Sequence, residues 1–248
     1  MAAAGPSQTR PGQDELLRLA RLSERVYQLS GPVAVGDLFP DALQTHTVGQ
    51  GAHFVRYTWI ERPQEVIVAF RGSLRTGSSG PWLRSWALNF DVTLQAVPVA
   101  VNARVHRGFY GEARSAIDKL IGRVQGKPVT FCGHSQGGAL ALCSAVELVR
   151  RASARQAIVV SFGQPRAGNR ALCDHLDRSR KIPVHRIVGI GDGVTRLPQD
   201  LFGYDHCETP SYLARAGGWT SEGRFPLNLF TTPRNHAMTA YLARLEAV

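Results

Sequence analysis

Lysine is nearly missing from this 248-residue chain: Lys119, Lys127 and Lys181 are the only ones among 29 basic residues, and the rest are arginine. The cations are scattered and never form a block. A net charge of +10 therefore carries no signature of a nucleic-acid surface, although it would draw the protein toward anionic lipid. Cysteine is also scarce. Cys132, Cys143, Cys173 and Cys207 form no C-x-x-C pair and no zinc spacing, so a zinc module is excluded and no disulfide framework is expected. No apolar run approaches the length of a transmembrane helix, which excludes an integral membrane segment. Residues 1–12 are small and polar and lack the apolar stretch of a signal peptide. They read as a disordered lead, and the protein as encoded reads as cytoplasmic, with unconventional secretion left open.

What the chain does have is material for a core: 44% of its residues are hydrophobic and 19% charged, the balance of a globular protein. Residues 13–29 place leucines and valine at helical spacing, with Asp14 and Glu15 at the start. Short β-branched and aromatic runs follow at 51–60, 65–70, 97–105, 128–132, 157–162 and 184–190, with a shorter candidate at 202–208. Helical patterns over 110–124, 139–151, 169–177 and 237–247 alternate with them, and 219–235 reads as loop. Alternation without internal repeats or linkers predicts one α/β domain over residues 13–248, with a central, mostly parallel sheet flanked by helices.

The most informative stretch is Gly133-His134-Ser135-Gln136-Gly137, placed between a buried strand and a helix. Strand, G-x-S-x-G, helix is the setting of a nucleophile elbow. The turn is so sharp that its serine takes up a strained backbone conformation, and a Cβ at either glycine would crowd it. The Gln136 N–H then lies at the start of a helix, where unsatisfied donors and the helix dipole favour an oxyanion. A serine nucleophile also needs a base and an orienting acid. In the α/β-hydrolase arrangement these follow in the order Ser, Asp, His, on loops after strands. Asp192, between two glycines at the end of an apolar strand, and His236, before the closing helix, satisfy that order. Asp200 is the nearest rival acid. His134, His106 and His206 read as structural. Trp82, Leu83, Trp86 and Leu88, beside a Gly/Ser stretch, read either as a mobile apolar lid or as an ordinary docked amphipathic helix.

Six segments in one order then resemble a known family. They are Val68-Ala-Phe-Arg-Gly-Ser73, Val105-His-Arg-Gly-Phe109, Gly133 to Gly138, Ser161-Phe-Gly-Gln-Pro-Arg-Ala-Gly-Asn169, Asp192-Gly-Val-Thr-Arg-Leu-Pro198 and Tyr204-Asp-His206, with Leu83 to Asp91 matching the lid. The chain resembles the class 3, fungal-type triacylglycerol lipases, which are α/β hydrolases. The resemblance implies an α/β-hydrolase fold with Ser135, Asp192 and His236 as catalytic triad. It also implies that Ser73 contributes its N–H and hydroxyl, together with the Gln136 N–H, to the oxyanion hole. It implies esters of lipids as substrates and needs neither metal nor organic cofactor. A short-chain carboxylesterase, a phospholipase A1-type enzyme and a catalytically silent lipase-like module are the competing readings. Oligomeric state is not readable. The chain departs from the family pattern at Asn235, where many members have Asp. It departs again at Tyr241, five residues beyond His236 where the usual spacing is three, and in lacking the disulfides of the fungal enzymes.

Overall fold

The computed structural model describes residues 10–49, 55–73, 92–124, 126–151, 156–221 and 232–248. The expected lid residues Trp82, Leu83, Trp86 and Leu88 lie outside these, as does most of the lead at 1–12.

The main sheet has eight strands. They are β1 (Gln44–Val48), β2 (Tyr57–Glu61), β3 (Val66–Phe70), β6 (Val129–His134), β7 (Ala157–Phe162), β9 (Val184–Gly189), β11 (Ser211–Leu213) and β12 (Trp219–Thr220), in that spatial order. From β3 through β6, β7 and β9 to β11 every pairing is parallel, and the pairings at both edges are antiparallel. Strands buried on both faces need apolar residues at successive positions, and β3 (Val-Ile-Val-Ala-Phe) and β6 supply them. A second, antiparallel sheet joins β4 (Leu94–Ala96), β5 (Arg104–His106), β8 (Gly168–Asn169) and β10 (Tyr204–Asp205).

Helices cover both faces of the main sheet. On one face lie α2 (Arg107–Leu120), α3 (Gln136–Arg151) and α4 (Arg170–Ser179), around a core that includes Phe70, Phe109, Phe131, Leu140 and Leu172. On the other lie α1 (Gln13–Arg25) and α6 (Met238–Glu246), around Leu16, Leu19, Ile67, Cys132, Phe162 and Tyr241. A short helix, α5 (Thr232–His236), precedes α6. The N-terminal helix thus docks on the sheet, and Arg21 reaches Glu246 across the two helices at 3.2 Å. Among the described residues no helix is long and apolar enough to cross a membrane.

Several expected elements differ. The run at 97–105, read as one strand, is instead the turn and second arm of the β4–β5 hairpin, with Asn102 in the left-handed region at φ 60°. The stretch 202–208 provides only β10, in the small sheet. The stretch 219–235, read as loop, holds β12 and α5 among its described residues.

Candidate active site

The elbow occupies the junction of β6 and α3, at the carboxyl end of the central strand. Ser135 has φ 58°, a conformation that costs a residue with a Cβ on the order of 1–3 kcal/mol unless its surroundings impose it. Here they do. A Cβ on Gly137 would sit 2.2 Å from the Phe70 carbonyl oxygen, and one on Gly133 would sit 2.5 Å from the Gly137 backbone. Strand β3 therefore presses against the first turn of α3, and only glycines let the chain double back there.

Three loops converge on this turn. Ser135 Oγ donates to His236 Nε2 at 2.8 Å, and His236 Nδ1–H donates to Asp192 Oδ2 at 2.8 Å. All three residues are buried. Asp192 sits after β9 as the cap of a short 3₁₀ turn, Gly193–Arg196, with its Oδ1 accepting from the Val194 N–H at 3.0 Å. The structure thus brings together all three residues that chain order had singled out. The nearest rival acid, Asp200, is exposed and opens a separate 3₁₀ turn, Asp200–Phe202.

The two candidate oxyanion donors are also adjacent. Gln136 opens α3, so its N–H has no intrahelical acceptor. Ser73 follows β3, and its hydroxyl donates to Gln136 Oε1 at 2.6 Å. That bond fixes Ser73 over the helix start but occupies its hydroxyl proton. The backbone N–H groups are the donors left for an oxyanion unless the hydroxyl turns away from Gln136.

Tyr241 and Asn235, the two departures from the family pattern, and Gly163 complete the site. Tyr241 OH donates to Asp192 Oδ2 at 2.6 Å and accepts from the Gly189 N–H at 3.0 Å. Burial, and then the Asp192 charge, push this phenol well above its ordinary range, so it remains a donor. The displaced spacing of Tyr241 thereby acquires a role as second partner of the acid. Asn235 accepts from Arg244 Nη2 through its Oδ1 at 2.8 Å. Gly163, at φ 61°, lies so close that a Cβ there would be 2.7 Å from Asp192 Oδ2 and 3.1 Å from His236 Nδ1.

His134 lies beneath the nucleophile. Its Nε2–H donates to the His236 carbonyl at 2.6 Å, and its Nδ1 accepts from Tyr27 OH at 2.8 Å. Burial, and then the neighbouring His236, hold its pKa well below the usual histidine value. It stays neutral, as a ring that donates at one nitrogen and accepts at the other must. Tyr27 also has a backbone hydrogen bond with Gly72, next to Ser73. One phenol from the N-terminal segment therefore ties the Ser73 strand end to the backbone of the base. Tyr27→Phe strips a partner from two buried groups, and a stability loss of about 1–3 kcal/mol is expected, read from urea unfolding. His106 and His206 are structural, as their sequence context suggested. His106 caps α2 through the Phe109 N–H, and His206 bonds the Thr195 carbonyl below the Asp192 loop.

Comparison with known proteins supplies the family. Residues 67–202 match the class 3 lipase model. The chain is 32% identical over 151 residues to a lipase of Rhizomucor miehei, covering 57% of this chain and 39% of that one. It is 26% identical over 212 residues to a secreted mono- and diacylglycerol lipase of Malassezia globosa, covering 78% and 66%. It thus spans less than two thirds of the length of either relative. Among solved structures, a triacylglycerol lipase with a serine protease triad as its catalytic centre superposes with a TM-score of 0.64 at 25% identity, over 81% of this chain and 79% of that one. The architecture is therefore that of the α/β hydrolases. The cytoplasmic expectation needs correction. The Malassezia relative is a secreted protein, which points to an extracellular address, and a polar opening stretch was too weak a signal to set against it. With a matched segment that spans more than half its length, the chain belongs to the class 3 lipases.

Proposed function

We propose that the protein is a serine carboxylic-ester hydrolase of lipase type that cleaves fatty-acyl esters of glycerides. The observation that supports this best is the unbroken hydrogen-bonded line Ser135–His236–Asp192, with Gln136 opening a helix immediately after the nucleophile. In this reading residues 13–248 act as one catalytic domain.

His236 Nε2 takes the Ser135 proton as Oγ attacks the ester carbonyl. Asp192 fixes the tautomer and stabilises the imidazolium. The tetrahedral oxyanion is held by the N–H groups of Gln136 and Ser73; loss of one such donor typically costs about 2.7–4 kcal/mol of transition-state stabilisation. His236 then protonates the leaving alcohol, and the acyl group remains on Ser135. Water, deprotonated by His236, releases the acid and restores the serine. Each step uses only side chains, backbone N–H groups and water, so the reaction requires no metal or organic cofactor. The net charge of +10 favours transient adsorption to an anionic lipid surface, where such substrates gather.

The test is hydrolysis of p-nitrophenyl esters from short to long acyl chains, with and without anionic vesicles. Turnover of long-chain esters that rises above their solubility limit is expected. Turnover of short chains alone would replace lipase with carboxylesterase. No turnover of any ester, with or without vesicles, would leave a silent lipase-like module.

A further inference from the structure

The four cysteines are free, and they fall into two groups. Cys132, on β6, lies in the core on the α1 side of the main sheet and Cys143, on α3, in the core on the opposite side, so they cannot meet. Burial pushes both thiols up to about 12. Cys173 and Cys207 differ. They come from α4 and from the segment that leaves β10, 34 residues apart in sequence, and both are buried. Their sulfur atoms are in contact at 2.7 Å.

We propose that Cys173 and Cys207 are a site of covalent modification: they close into a single intrachain disulfide when the protein folds under oxidising conditions. The contact already has one sulfur against the other, so the two thiols are placed to exchange with each other rather than with Cys132 or Cys143. A low-molecular-weight disulfide such as oxidised glutathione suffices as oxidant. One cysteine thiolate attacks its S–S bond, forming a mixed disulfide and releasing one glutathione thiol. The second cysteine attacks the mixed disulfide, forming the protein bond and releasing the second. Two protein thiols are oxidised, one glutathione disulfide is reduced, and the two protons pass to the departing thiolates.

The surroundings indicate when and why. Arg186, buried beside both cysteines and bonded to the Glu208 carbonyl at 2.8 Å, favours the attacking thiolate. The hydrogen bond to Cys173, together with burial, pushes the Cys207 thiol up, which opposes Arg186 and slows the exchange once the site is closed to solvent. The consequence reaches the active site. Cys207 follows His206, whose ring holds the Thr195 carbonyl, and Thr195 Oγ1 donates to the Asp192 carbonyl at 2.8 Å. A bond here anchors the underside of the acid loop to α4.

The test is to fold the full chain in a glutathione buffer with the disulfide in excess, block remaining thiols, and map peptides without reduction. The expected result is one cross-linked peptide pair, Cys173 with Cys207, with Cys132 and Cys143 alkylated. Reduction should lower the thermal midpoint by about 5–10 °C. The same reductant should leave Cys173→Ala and Cys207→Ala unmoved. Four alkylated thiols, or a bond to Cys132 or Cys143, would overturn the proposal. A Cys173–Cys207 bond that leaves the midpoint unchanged would overturn its stapling role. None of these readouts depends on ester turnover, so they stand or fall apart from the function proposed above.

Discussion

Ser135→Ala is expected to lower kcat for any ester the protein cleaves by about 10⁶-fold, with the fold unaffected. The reason lies in what alanine keeps and what it loses. The left-handed backbone at φ 58° is imposed by β3 and Gly137, and an alanine meets the same strain as a serine, so the turn survives. The hydroxyl that donates to His236 is gone. What remains is the residual catalysis of a helix start and Ser73 acting on a bound ester, about 10³–10⁴-fold over water. Urea unfolding should place the variant within about 1.5 kcal/mol of the parent, the net value of one hydrogen bond. A variant that retains a tenth of the parent activity would remove Ser135 from the mechanism.

Asp192→Asn is expected to cost about 10⁴-fold in kcat with KM little changed. The carboxylate accepts three hydrogen bonds: one at Oδ1 from the Val194 N–H and two at Oδ2, from His236 Nδ1–H and Tyr241 OH. An amide has one acceptor oxygen and cannot serve both ends. With its oxygen toward Val194, its NH₂ faces the Nδ1–H of His236 and drives the ring to the tautomer whose Nε2 carries a proton and cannot take one from Ser135. With its oxygen toward His236, its NH₂ faces the Val194 N–H and the acid loop is strained. In both cases the negative charge that stabilises the imidazolium is lost. Steady-state kinetics on a soluble ester separate kcat from KM directly. A loss confined to KM would mean that Asp192 shapes the binding site rather than the base.

Much of the fold could be read from residues because burial leaves a plain signature. Strands β3, β6, β7 and β9 are buried almost throughout and appear as apolar runs ending in glycine or polar residues. Ser135, Asp192 and His236 were found because each falls at the carboxyl end of such a strand or before the closing helix. The edges were harder. Strand β1, Gln-Thr-His-Thr-Val, is polar and only partly buried, so nothing in its composition marks it. Strands β8, β10 and β12 are two residues each, too short for any periodicity. The supporting shell was hidden for another reason. Tyr27 meets His134 across 107 residues and Tyr241 meets Asp192 across 49, so their roles exist only once the chain has folded. The one local hint was the offset of Tyr241 from the family spacing.

The most direct test of the central claim is labelling with a long-chain p-nitrophenyl alkylphosphonate, which mimics the tetrahedral intermediate. Attack by the nucleophile forms an oxygen–phosphorus bond and expels nitrophenolate. The account predicts release of about one nitrophenolate per chain, a single adduct by intact mass, and its location on the peptide that carries Ser135. Ser135→Ala should show none. An adduct on another residue, or ester turnover that persists in the fully labelled protein, would contradict it.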